Sequence, residues 1–319
     1  MEKKEIKRTC NYVAGGLLIY TWIGFLAVIV EMIIRAASIS IRVDDVEEEN
    51  RLIDSVFNTM LEKEAWSSIV GVVLGIVILA MFFYKKVSRK DIFLSVNAMT
   101  PKRFFQILCV FMGTQLIFGV GGEWMEKGVN LFGYSMMQSI ESASSISTTV
   151  SMFLYASLFG PIAEELVYRG FVLRSFMKLG KIPAIVLSSV LFGIMHGNIP
   201  QSVFACAVGV VFGYVTVEYS IGWSILLHII NNFVFGDLLG FLMKNLSEQT
   251  QSTLNWGIMG VFFLAGAVIV WRKREKIREY VVANRIAEKR YRYMFTAILV
   301  VVFVVIHLAM GIDMIEPLK

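Results

Sequence analysis

The chain reads as an all-α membrane protein, a polytopic bundle of about eight or nine transmembrane helices. Three observations carry this reading. Hydrophobic residues make up 56% of the 319 residues and charged residues only 17%, whereas soluble domains run near 45–50% and about 25%. The mean hydropathy is +0.67. Several uncharged runs reach the roughly 20 apolar residues that a helix needs to cross a bilayer. The three cysteines, Cys10, Cys109 and Cys206, are too few and too scattered for a disulfide framework or a zinc–thiolate cluster. The net charge of +5 comes from basic loops, which read as topology signals rather than as a nucleic-acid surface.

Taken in order, residues 1–11 are basic (Lys3, Lys4, Lys7, Arg8), and Tyr12 to Val30 is apolar up to Glu31. No small-residue cleavage site follows, so this is read as a retained first span with its N-terminus cytoplasmic. Residues 35–65 form an acidic outer loop, helical in part, with Asp44, Asp45, Glu47, Glu48, Glu49, Asp54, Glu62 and Glu64. Trp66 to Tyr84 is an uncharged second span. The loop 85–103 carries six basic residues against Asp91, which marks it as cytoplasmic. Phe104 to Val120 is the third span, and the polar residues 121–147 read as a second outer loop. Thr148 to Lys178 is expected to form one long helix, kinked near Pro161, whose charged half runs toward the cytoplasm. Three more spans follow: Lys181 to His196, Gln201 to Val217 and Trp223 to Leu242. Leu254 to Trp271, a basic cytoplasmic loop over 272–292 and a last span from Met294 to Met310 complete a multi-pass cell-membrane protein. It reads as a single membrane domain over 1–319. Its chemistry is concentrated in 148–240, with peripheral helices and loops in 1–147 and 241–319.

That middle region begins with Pro161-Ile162-Ala163-Glu164-Glu165-Leu166-Val167-Tyr168-Arg169. On a helix Glu165 and Arg169 are i and i+4 and can pair. Glu164 points about 100° away from Glu165 and has no such partner. A carboxylate without a partner in a membrane helix is costly, and its default reading is functional. Phe192 and His196 share a helix face, so the ring can restrict the imidazole. His228 and Asn232 share another. The third histidine, His307, stands alone on an apolar helix and reads as a packed residue. If Glu164, His196, His228 and Asn232 converge, they form either a structural polar network or a hydrolytic site. In the latter a carboxylate and an imidazole activate water, while an imidazole and an amide stabilise an oxyanion. No serine or cysteine in these motifs is placed as a nucleophile.

Glu164-Glu165-x-x-x-Arg169, Phe192-x-x-x-His196 and His228-x-x-x-Asn232, in this order on successive hydrophobic segments, resemble the three motifs of the CAAX-protease and bacteriocin-processing (CPBP) family of intramembrane endopeptidases, which includes the type 2 CAAX prenyl proteases. The resemblance covers about residues 148–240. It implies an endopeptidase in which Glu164 and His196 activate water and His228 and Asn232 form the oxyanion hole. Glu165, Arg169 and Phe192 then act as structural support. It also implies a membrane-associated or lipidated substrate, such as a prenylated C-terminal peptide, a peptide-pheromone or bacteriocin precursor, or a small membrane protein, with no cofactor.

Two other readings stand beside this one. A non-catalytic bacteriocin-immunity or scaffold protein would share the fold, and a proton-coupled transporter would use a lone carboxylate. Zinc is the alternative cofactor, with Glu164, His196 and His228 as its ligands. Against it, the sequence lacks His-Glu-x-x-His spacing, and Asn232 is a poor zinc ligand.

Overall fold

A computed structural model describes residues 2–43 and 45–318, with side chains for all of these except Leu61 and Glu62. Asp44 of the acidic outer loop lies outside the described residues. The fold is helical almost throughout, with one two-residue antiparallel pairing in which Tyr134–Ser135 meets Glu316–Pro317.

Helix α1 spans Lys3–Ser40, α2 Val46–Lys63 and α3 Trp66–Phe83. Asp45 caps α2 by accepting from the Glu47 N–H at 2.8 Å, so the acidic segment is an amphipathic helix. Helix α4 spans Pro101–Asn130. It starts where Thr100 accepts from the Arg103 N–H and Pro101, which has no N–H to lose, takes the first turn. A short α5, Met137–Ser144, precedes α6, Val150–Leu179. Then come α7, Lys181–Ile194, α8, Ile199–Glu218, and α9, Ile221–Met243. The chain closes with α10, Glu248–Asn284, α11, Glu288–Phe295, and α12, Ile298–Asp313.

All nine expected spans fall on helices, but they are not all long enough to cross a membrane. Among the described residues seven helices are long and apolar enough, and the pair α11–α12, bent by 64°, makes an eighth if it is counted as one span. The expected span at Lys181 to His196 has only 14 helical residues, about 21 Å of rise against a hydrocarbon core of about 30 Å. Polar residues also proved helical. Helix α4 runs ten residues past Val120, and α10 carries its helix through most of the basic stretch 272–292. Glu, Lys and Arg are good helix formers, so a helix need not stop where the membrane does.

Helix α6 passes Pro161 as one span, with a π-helical turn, Tyr155–Phe159, immediately before it. The Gly160 N–H reaches back to the Tyr155 carbonyl, and Pro161 has no N–H to donate. A wider turn accommodates that missing donor without a sharp break. Gly180, at φ 118°, makes the turn from α6 into α7, a conformation open mainly to glycine.

Helices α1 and α10 lie outermost, and α6 and α8 form the interior. Only 6% of the most apolar stretch of α1, and of α10, is buried, against 39% for α6 and 44% for α8. Helices α7 and α8 meet at Gly193, where a Cβ would run into Cys206 and the backbone of Ser202. The fully buried side chains of Arg169, Tyr168, Phe192 and Phe212 mark the centre, and the polar motifs surround them.

Candidate active site

Helix α6 supplies both carboxylates. Just after Glu165 the helix widens into a second π-helical stretch, Leu166–Leu173. Such insertions recur at functional sites. Within it Arg169 Nε lies 3.4 Å from Glu165 Oε2, and both side chains are fully buried, so the expected pairing of these two residues is present. The guanidinium is also stacked 4.2 Å from the Phe192 ring centre and 5.4 Å from that of Phe212. One terminal nitrogen donates to the Gly209 carbonyl of α8 at 3.4 Å. A flat, weakly hydrated cation suits such a sandwich.

Glu165 has further partners on α9. Ser224 Oγ donates to Oε2, and His228 Nδ1 lies 3.2 Å from Oε1. This carboxylate is therefore held by an arginine, a hydroxyl and an imidazole, and its charge is matched inside the protein. Glu164 is different. Its side chain is 22% exposed, no ion pair joins it to its own helix, and its one ion-pair neighbour among the described residues is His228 Nε2 at 3.7 Å. The asymmetry between the adjacent carboxylates, expected from the helical wheel, is present in the fold.

His228 is boxed in by rings. It stacks on Phe212 at 4.9 Å and meets the edge of Phe192 at 6.0 Å. Its two nitrogens face the two glutamates in turn. His196, at the end of α7, packs edge-to-face on Phe192 at 5.1 Å, as the spacing predicted. Its Nδ1 lies 2.9 Å from the Phe192 carbonyl and 3.2 Å from that of Gly193. Two carbonyl acceptors assign the proton to Nδ1, which leaves the Nε2 lone pair free in the neutral ring. Asn232 lies in a third π-helical stretch, Ile230–Leu238. Its Nδ2 donates to the Ala156 carbonyl at 2.8 Å, and its Oδ1 accepts from Asn231 Nδ2 at 2.8 Å.

The structure thus joins Glu165, Arg169, Ser224, His228, Phe192 and His196 through direct contacts, with Glu164 beside His228. Among the described residues, no hydrogen bond or ion pair links His196 to Glu164 or Asn232 to His228. The candidate zinc set does not assemble either. Among the described residues no three His, Cys, Asp or Glu side chains stand close enough to hold a metal ion. His307 is a packed residue, 2% exposed, with Nδ1 2.8 Å from the Phe303 carbonyl and its ring 4.1 Å from that of Phe303.

Sequence reasoning missed Ser224, Phe212, Asn231 and Gln115, whose Nε2 donates to Asn231 Oδ1 at 2.5 Å. Ser224 stands four residues before His228, a spacing that would have revealed it. Gln115 is one of three polar residues, with Gln106 and Thr114, in a span that is apolar elsewhere, a signal of the same kind.

Neither the curated proteins nor the solved structures give a match to this chain. A family model does: residues 146–234 match the type II CAAX prenyl endopeptidase, Rce1-like family. Glu164, Glu165, Arg169, His196, His228 and Asn232 all lie inside the matched residues, so the segment that carries the three motifs is similar to the CAAX endopeptidase family.

Proposed function

We propose that the protein is an intramembrane endopeptidase that hydrolyses a peptide bond of a membrane-associated or lipidated peptide. The observation that carries this reading is the division between the adjacent carboxylates. Glu165 is fully buried and neutralised by Arg169, whereas Glu164 keeps a partly exposed carboxylate with no partner in its own helix. A scaffold has no use for that arrangement in a membrane helix, where an uncompensated charge is costly.

In the proposed reaction Glu164 takes a proton from a water that His196 Nε2 helps to orient, and the resulting hydroxide adds to the scissile carbonyl carbon. The negative oxygen that forms accepts hydrogen bonds from the free Asn232 Nδ2–H and from His228 Nε2. Glu164 then passes its proton to the departing amine, the C–N bond breaks, and a carboxylate and an amine leave. His228 Nδ1 faces Glu165, so donation from Nε2 requires a proton on both ring nitrogens.

A second assignment rests on the 3.7 Å approach of His228 to Glu164. There His228 shares the water with Glu164, and His196 serves elsewhere in the site. The separation is too long for a direct hydrogen bond, but a water set off the line between the two atoms reaches both.

The test is cleavage by full-length protein in liposomes, using a peptide library that includes farnesylated C-terminal peptides, with Glu164→Ala as the control. Cleavage lost in the control supports the protease. Retained cleavage in Glu164→Ala rejects Glu164 as the base. Under the first assignment His196→Ala abolishes turnover and His228→Ala slows it by about 10²–10³-fold, as for a lost oxyanion donor. The reverse order favours the second assignment.

A further inference from the structure

Three side-chain amides form a chain that leads into the site from a helix outside the family-matched segment. Gln115 of α4 donates through Nε2 to Asn231 Oδ1 at 2.5 Å. Asn231 Nδ2 donates to Asn232 Oδ1 at 2.8 Å. Asn232 Nδ2 donates to the Ala156 carbonyl of α6 at 2.8 Å. All three side chains are half-buried within apolar helices. Donors and acceptors run head to tail, so each amide is turned by the one before it.

We infer that Gln115 and Asn231 are positioning residues for the Asn232 amide. The inference rests on the proposed role of Asn232 as an oxyanion donor. A primary amide has two donor hydrogens on nitrogen and an acceptor oxygen, and rotation by half a turn exchanges them. With its oxygen held by Asn231 and one hydrogen held by Ala156, Asn232 directs its second N–H into the site. Turned the other way, it would present an oxygen to a developing negative charge. Gln115 starts the chain and therefore sets its direction. It occupies Asn231 Oδ1 with a donor, which leaves Asn231 only its NH₂ to offer to Asn232. Hydrogen bonds linked in this sense also polarise one another, which strengthens the last donor.

Gln115→Glu tests the direction without changing the size of the side chain. A carboxylate only accepts, so it draws the Asn231 NH₂ toward itself and turns the relay around. Gln115→Met removes the polar end and serves as the second variant where the first fails to fold. In full-length protein with 15N-labelled asparagine, Gln115→Glu is expected to shift the side-chain NH₂ resonances of Asn231 and Asn232. Unchanged Asn232 resonances would overturn the relay, whether or not the protein cleaves any substrate. In the cleavage assay kcat is expected to fall by about tenfold at unchanged KM, less than the 10²-fold or more for an oxyanion donor removed outright. In an Asn232→Ala background the Gln115→Glu change should have no further effect on kcat, because both act through one group. Additive losses would place Gln115 outside the oxyanion chain. A wild-type protein without cleavage activity would reject the protease reading and leave the resonance shifts to decide the relay.

Discussion

Glu165 holds His228 by its inner nitrogen. The Nδ1–Oε1 distance is 3.2 Å, and the same carboxylate is braced on its other oxygen by Ser224 and Arg169. A histidine so held presents Nε2, and only Nε2, toward Glu164. The buried pair Glu165–Arg169 thus does more than neutralise itself. It fixes the ring that faces the candidate base.

The two adjacent glutamates should therefore fail differently. Glu165→Gln leaves Arg169 buried beside a neutral amide, and breaking a buried pair from one side costs about 3–5 kcal/mol. A large drop in the thermal midpoint is expected, with turnover lost alongside it. Glu164→Gln removes a carboxylate whose one ion-pair neighbour among the described residues is 3.7 Å away and which is 22% exposed. Its stability change should stay within about 1 kcal/mol, while hydrolysis disappears. Thermal unfolding in detergent, read beside cleavage for each variant, makes the comparison. Equal activity loss at unchanged stability in both would defeat the division of roles.

Ser224 supplies a milder perturbation of the same ring. Ser224→Ala removes one charge-assisted hydrogen bond to Glu165, which is worth about 1.5–3 kcal/mol. It leaves Arg169 and His228 in place. The expected result is a smaller fall in the thermal midpoint than for Glu165→Gln, with kcat reduced and KM unchanged. An unaltered kcat would show that Ser224 supports the fold alone.

The parts of the site that one helix determines were legible in the sequence. Glu165 with Arg169, and Phe192 with His196, follow from four-residue spacing, and both contacts are present. The contacts made between helices were not legible, because spacing says nothing about which faces meet. Phe212, which stacks on both His228 and Arg169, looks like any other aromatic in an apolar run. The π-helical stretches after Glu165 and Ile229 also leave no pattern in hydrophobicity. Span ends differ from the sequence expectation for a related reason. Polarity at 121–130 and 272–284 predicts loop, but those residues continue α4 and α10 as helix.

The distribution of basic residues predicts the membrane orientation. Lys85, Lys86, Arg89 and Lys90 lie between α3 and α4, and Arg272 to Arg278 lie on the extension of α10. Both are expected on the cytoplasmic side, with α2 outside. Single-cysteine variants in a background lacking Cys10, Cys109 and Cys206 would be labelled from outside with an impermeant reagent. Glu48→Cys should react and Arg274→Cys should be protected. The opposite pattern would invert the topology.

Metal dependence is the remaining question that the ligand geometry bears on. A zinc site would need Glu164, His196 and His228 to converge, with outer partners that orient each imidazole. In the fold, His228 turns Nδ1 to Glu165 and Nε2 toward Glu164, while His196 fixes Nδ1 on the carbonyls of its own helix. Among the described residues no three His, Cys, Asp or Glu side chains are placed to hold a metal ion together, and Glu165, the other carboxylate at His228, is already engaged by Arg169 and Ser224. Asn232 has its oxygen engaged by Asn231 and its nitrogen turned to Ala156, an arrangement suited to donating a hydrogen bond rather than to coordinating a cation. Activity is therefore expected to survive exhaustive chelation, and His228→Ala should slow turnover without changing the metal content of the purified protein. Elemental analysis finding one zinc per chain, lost together with activity in both His196→Ala and His228→Ala, would replace the direct-water mechanism with a metalloprotease.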